Sequence, residues 1–184
     1  MRDENEEELH KSHTVDFSAI EDHVYKVFPN DLNAHETVFG GLIMSLADRL
    51  AGIVAQRHSG TVCVTASVDS IHFLTPAGRG DVLIFKASIN RVWNTSMEIG
   101  IKVCAQNYRT GHQVHVASAY FTFVALDDFH RPVSIPPLIP KTSAQLRRYQ
   151  EAEIRRNNRK REAHELRERR QSEDRECDVS TDGG

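Results

Sequence analysis

The chain has 184 residues, enough for one domain with tails, and 39% of them are apolar, enough for one core. Its formal net charge of −3 provides no global field for nucleic acid, and no apolar run approaches the ~20 residues of a membrane span. Charge is uneven along the chain: six acids crowd residues 1–16 and five bases crowd residues 155–161.

The three cysteines, Cys63, Cys104 and Cys177, are an odd number without metal-ligand spacing. Cys63 and Cys104 fall in strand-like runs and read as reduced structural thiols. The acidic N-terminus resembles neither a secretory signal nor a transit peptide, so a cytoplasmic protein is expected.

Residues 1–13 are polar and expected to be flexible. Residues 14–40 read as loop with short extended pieces, and Pro29-Asn30-Asp31 as a turn. A helix follows from Gly41 to His58 and stops at Ser59-Gly60. Its apolar residues cover most of its circumference, which predicts burial all round. After Gly60 the period changes to two. Val62, Val64, Ala66 and Val68 alternate with Cys63, Thr65, Ser67 and Asp69, a half-buried strand. A second strand spans 82–92, and a third carries Met97, Ile99, Ile101 and Val103 on one face. The run 113–126 is apolar on both faces and is predicted at the sheet centre.

Four strands with short connections imply an antiparallel sheet curved around the single helix. One helix cannot cover both faces of that sheet, so a second subunit is expected. Prolines 132, 136, 137 and 140 close the domain at 14–142. A charged helix is expected over 143–170, its first half docked on the domain and its second half solvated. Residues 171–184 read as an unstructured tail.

Three features carry chemistry. Gly40-Gly41 opens the helix, where free N–H groups and the positive dipole end suit an oxygen that gains negative charge; a plain tight turn is the alternative. Asp48 lies two turns on, beside Met44, Ala51, Gly52 and Ala55. It is either a carboxylate facing solvent or paired with Arg49 or Arg57, or a general base or nucleophile toward a carbonyl carbon. Asn33 is either a turn former or a partner of Asp48. The ten histidines show no metal spacing, and there is no Gly-x-Ser-x-Gly elbow or phosphate-cradling Gly-rich loop. No metal is expected.

The run Asn33…Phe39-Gly40-Gly41-Leu42-Ile43-Met44-Ser45-Leu46-Ala47-Asp48 resembles the hot-dog-fold acyl-CoA thioesterases, bacterial and cytosolic brain-type. The blocks 66–73, 80–81, 91–98 and 117–127 extend the likeness over about 14–154. The resemblance implies an α+β hot-dog fold of five antiparallel strands around one helix, with no cofactor. It implies a homodimer with interfacial sites, assembled as a trimer of dimers, and fatty acyl-CoA as substrate. It implies that Asp48 and Asn33 from opposite subunits form the site, with Gly41 and Gly40 polarising the carbonyl. Coenzyme A contacts would come from Arg91, Asn94, Thr95 and Ser96, with Arg147 and Arg148 as further phosphate contacts. The alternatives are a non-catalytic acyl-CoA-binding protein on the same fold, or nucleic-acid binding through residues 155–170. The interleaved Glu162, Glu165 and Glu168 favour a solvated helix over the latter.

Overall fold

The computed structural model describes residues 12–181, with side chains over 12–170. The expected flexible N-terminus lies outside the described residues up to 11. His13 does not: the strand β1 (His13–Thr14) pairs in parallel with β7 (Leu138–Ile139). Between 14 and 40, the chain forms a helical turn, α1 (Val15–Ser18), and then a full strand, β2 (Ile20–Lys26). The polar residues of β2 hid its period, because as an edge strand it exposes Glu21, Asp22, Val24 and Lys26.

The helix α2 (Gly40–Ser59) ends at Gly60, whose φ of 69° is the left-handed conformation that glycine adopts without strain. Four long strands follow: β3 (Val62–Phe73), β4 (Val82–Val92), β5 (Ser96–Gln106) and β6 (Gln113–Leu126). The sheet order is β2-β4-β5-β6-β3, so β5 rather than β6 takes the middle. β6 is apolar on both faces because it is still an interior strand, between β5 and β3.

One face of the sheet wraps α2. Leu83, Phe85, Ile89, Ile99, Phe121 and Phe123 meet Ile43, Ala47, Leu50, Ala51, Val54 and Ala55 in one core. Contrary to the all-round burial expected, α2 keeps Met44 and Ile53 exposed in the single chain, at 44% and 41%. The faces of β3 also differ from simple alternation. Its register shifts between Thr65 and Ser67, a bulge that exchanges inside and outside. Cys63, Thr65 and Val68 pair with the inward Ala125, Phe123 and Phe121, while Val62 and Val64 are exposed.

The second face of the sheet is covered by this chain itself, by the helix α3 (Ser143–Thr181). No proline or glycine interrupts residues 143–181, so the helix runs past 170, well into the segment read as an unstructured tail. The final residues, 182–184, lie outside the described ones.

α3 docks through charge rather than apolar area. Glu98, fully buried on β5, accepts from Asn90 Nδ2 at 2.9 Å and from Arg155 through Nη2 at 2.7 Å and Nε at 3.0 Å. The Arg155 guanidinium also lies 3.8 Å over the Tyr120 ring. Arg159 pairs with Asp69, which Ser67 and Thr122 also hold. Two bases of the run 155–161 are therefore half-buried anchors, not solvated charges. Removing one member of a buried pair strands its partner in low dielectric. Arg155→Ala should cost about 3 kcal/mol in urea unfolding, with Arg155→Lys recovering only part because it lacks the two-pronged donor.

His58 is fully buried at the end of α2, and its Nε2 donates to the Pro136 carbonyl at 3.0 Å. Burial pushes its pKa below the ordinary value and His13 adds to that, while the bond to Pro136 opposes it. The folded chain therefore binds fewer protons than the unfolded chain below pH ~6.5. Stability is full above that pH and falls as pH drops toward the folded-state value. Urea midpoints measured from pH 7.5 to 5 should decline more steeply for wild type than for His58→Asn, which donates but does not titrate.

Candidate active site

Asp48 points from α2 toward the open edge of the sheet. Thr65 Oγ1 donates to its Oδ1 at 2.7 Å, and neither Arg49 nor Arg57 pairs with it. The bulge in β3 brings Thr65 inward to do so. Read as part of a simple alternation, Thr65 fell on a polar outer face, so the sequence offered no signal for it. The surroundings are apolar and open: Met44 and Ile53 on α2, and Val62, Val64, Val68 and Phe73 on β3, are all more than 40% exposed. β3 has no strand on its other side.

The mouth of α2 lies further along the helix. Seven residues separate Gly41 from Asp48, about 10 Å along the axis. The first N–H groups of the helix, at Gly40 and Gly41, have no acceptor one turn back. Two aromatic rings flank them. A Cβ on Gly41 would lie 2.7 Å from Phe39 Cζ, and one on Gly40 would lie 3.3 Å from Phe73 Cζ. Phe39 is 60% exposed, so its ring shields the mouth without being locked in the core. A groove of about 330 Å³ runs from Gly40 between Ile43, Phe73, Leu74 and Val116.

Asn33 is a loop former within its own chain. Its Oδ1 accepts from the His35 N–H at 2.9 Å and the Thr37 N–H at 3.3 Å, and its Nδ2 donates to Thr37 Oγ1 at 2.9 Å. No hydrogen bond joins it to Asp48 among the described residues.

Residues 93–96 form the turn between β4 and β5, closed by the Trp93 N–H donating to the Ser96 carbonyl at 2.8 Å. The register Thr65–Phe123–Met97 puts this turn at the same end of the sheet as Asp48 and Thr65, but strands away across it. Asn94 Oδ1 accepts from Ser134 Oγ at 3.1 Å, and the Thr95 carbonyl accepts from Ala125 N. Arg91 is engaged within its own chain. Its Nε pairs with Glu153 at 3.0 Å, its Nη1 donates to the Tyr149 carbonyl at 3.3 Å, and its guanidinium lies 4.2 Å over the Tyr149 ring. Arg147 pairs with Glu151 along α3, and Arg148 lines a cavity on the outer sheet face with Lys86 and Lys102. Among the described residues no group of three or more His, Cys, Asp or Glu side chains is placed to hold a metal, and no helix is long and apolar enough to cross a membrane.

A carboxylate held by a threonine, near a bare helix mouth on an unclosed sheet edge, is machinery for hydrolysing an acyl compound. The profile of the thioesterase superfamily matches residues 35–112. The Bacillus subtilis protein YkhA, named as an uncharacterized acyl-CoA thioester hydrolase, is 40% identical over 135 residues, covering 73% of this chain and 78% of its own. A hexameric acyl-CoA thioesterase solved in its apo form superposes with a TM-score of 0.81 at 33% identity, over 83% of this chain and 97% of that one. The Staphylococcus aureus acyl-CoA hydrolase, solved with butyryl coenzyme A and coenzyme A, superposes at 0.80 with 33% identity, over 85% and 95%. It has also been solved with an asparagine, an aspartate or a threonine replaced by alanine, at the same spacing along its chain as Asn33, Asp48 and Thr65 here. The chain belongs to the thioesterase superfamily, and its fold is the hot-dog fold of the acyl-CoA thioester hydrolases.

Gly41→Ala tests the mouth. The Phe39 ring can swing away, so the melting temperature should move little. The displaced ring and the added methyl misplace the carbonyl, and thioester turnover should fall by up to about 100-fold.

Proposed function

We propose that this chain hydrolyses the thioester of fatty acyl-CoA to a free fatty acid and coenzyme A, with no cofactor. The Asp48–Thr65 pair, set on an open edge beside a bare helix mouth, carries the reading. The carbonyl oxygen takes hydrogen bonds from the Gly40 and Gly41 N–H groups, whose dipole meets the charge as it develops. Asp48 takes a proton from water as the water oxygen bonds to the carbonyl carbon. The tetrahedral intermediate then expels the coenzyme A thiolate, which takes the proton from Asp48, and the acyl group leaves as a carboxylic acid. One carbonyl and one water span the ~10 Å between mouth and carboxylate, which favours Asp48 as base over direct attack. Thr65 holds Oδ1 and leaves Oδ2 for the water.

Asn33 forms no hydrogen bond with Asp48 in its own chain, and we assign it to the site of the partner subunit, where its amide orients water or substrate. The open β3 edge and the apolar residues around Asp48 are the surface a second copy would close. We infer a homodimer on this edge, assembled as a trimer of dimers, acting in the cytoplasm, where the free Cys63 and Cys104 stay reduced. Asn94, Thr95 and Ser96 remain as contacts to the coenzyme A moiety.

Release of free thiol from acyl-CoAs of several chain lengths tests the activity. Asp48→Asn should lower kcat by about 10³-fold or more with little change in KM; undiminished turnover rejects the mechanism. Subunit sharing is tested by mixing. Asp48→Ala and Asn33→Ala, each inactive, should regain about a quarter of wild-type activity when unfolded and refolded together, since half the dimers are mixed and half their sites intact. No recovery would place both residues in one subunit's site.

A further inference from the structure

Arg91, the arginine expected to meet a coenzyme A phosphate, is already committed to Glu153 and Tyr149. A second arginine stands at the same turn. Arg156 lies one helical turn beyond Glu153 on α3, and its guanidinium sits 4.5 Å over the Trp93 ring. Trp93 is itself fixed: its Nε1 donates to Glu153 Oε2 at 2.9 Å, and its N–H closes the turn onto Ser96. The indole is thus a rigid platform under the guanidinium. Among the described residues no carboxylate lies within ion-pair distance of Arg156, whereas Arg155 and Arg159 on the same helix are each paired inward.

The local charge balance points the same way. Glu153 bonds to this turn through Trp93, and it is paired to Arg91. Its carboxyl is held below the ordinary range first by the Trp93 hydrogen bond and then by Arg91, Arg156 and Lys160 together. Three cations thus act on this one carboxylate, and one of them, Arg156, stacks on the ring that opens the Asn94-Thr95-Ser96 turn. A guanidinium stacked on an aromatic face keeps its in-plane N–H groups free, the geometry that receives a phosphate two-pronged.

We propose that Arg156, stacked on Trp93, is the phosphate-binding arginine of the coenzyme A site, and that Arg91 serves only to position the turn through Glu153. The inference rests on acyl-CoA being the substrate. It also moves a function onto α3, outside the block of residues that carries the resemblance at this turn.

The test compares two thioesters of the same acyl group, acyl-CoA and the phosphate-free acyl-N-acetylcysteamine, on wild type, R156Q, R156K and R161Q. R156Q should raise KM for acyl-CoA roughly tenfold, leave kcat nearly unchanged, and leave the KM for the truncated thioester unchanged. R156K should recover part of the loss through its charge. R161Q, whose arginine bonds along the helix with Asn158 and Glu165, should match wild type. An R156Q whose KM for acyl-CoA is unchanged, or raised equally for both thioesters, overturns the role of Arg156 while leaving the activity standing. Failure of wild type to turn over either thioester overturns the activity and this role with it.

Discussion

The fully buried Glu98 carboxylate is the constraint on which the outer half of the molecule depends. A sheet of five strands has two faces, and α2 supplies apolar cover for only one. On the other face the outward positions of β4, β5, β6 and β3 form a polar row: Asn90 and Arg91, Glu98, Thr122, then Ser67 and Asp69. Such a row stays dry only if another element brings matching charge. Arg155 and Arg159 do so, and they set the rotation and height of α3 over the sheet. Once that helix is fixed, Tyr149, Glu153 and Arg156 fall over the β4–β5 turn. The charge pair at the centre of the sheet and the geometry of the turn at its end are consequences of one docking event.

The inner half is limited by what the chain lacks. Asp48 and Thr65 sit beside an unpaired strand edge, among side chains too apolar to be left in water. Thr65 fixes the carboxylate in place within the single chain. Asn33, half-buried, is tied into its own loop by His35 and Thr37.

Much of this was legible in the chain. The run from Gly40 to Gly60 marks α2 by its period and its stop signal, and an apolar residue at every second position marks the strands at 82–92 and from Met97 to Val103. The glycine pair and the lone carboxylate were visible because they break an apolar pattern. What could not be read depended on contacts between distant residues. β2 lacks alternation because an edge strand need not bury a face. The bulge after Thr65 exchanges the faces of β3, and no residue there signals it, so simple alternation puts Thr65 on the outer face. The basic run 155–161 looks uniform, yet successive helical positions point to different environments. Arg155 pairs with the buried Glu98, Arg156 stacks on Trp93, and Arg161 bonds along its own helix.

The two layers of this domain rest on different forces, which has a consequence for solvent. The inner layer is held by apolar contact. The outer one is held by three stacked guanidinium groups, Arg91 on Tyr149, Arg155 on Tyr120 and Arg156 on Trp93, together with ion pairs. Guanidinium ion is a free copy of the group that docks α3, and as a salt it also screens the carboxylates. Urea does neither. The two denaturants therefore meet different proteins: urea dissolves a single cooperative body, whereas guanidinium competes for the helix's own binding sites and can lift it from the sheet while the core beneath is still intact.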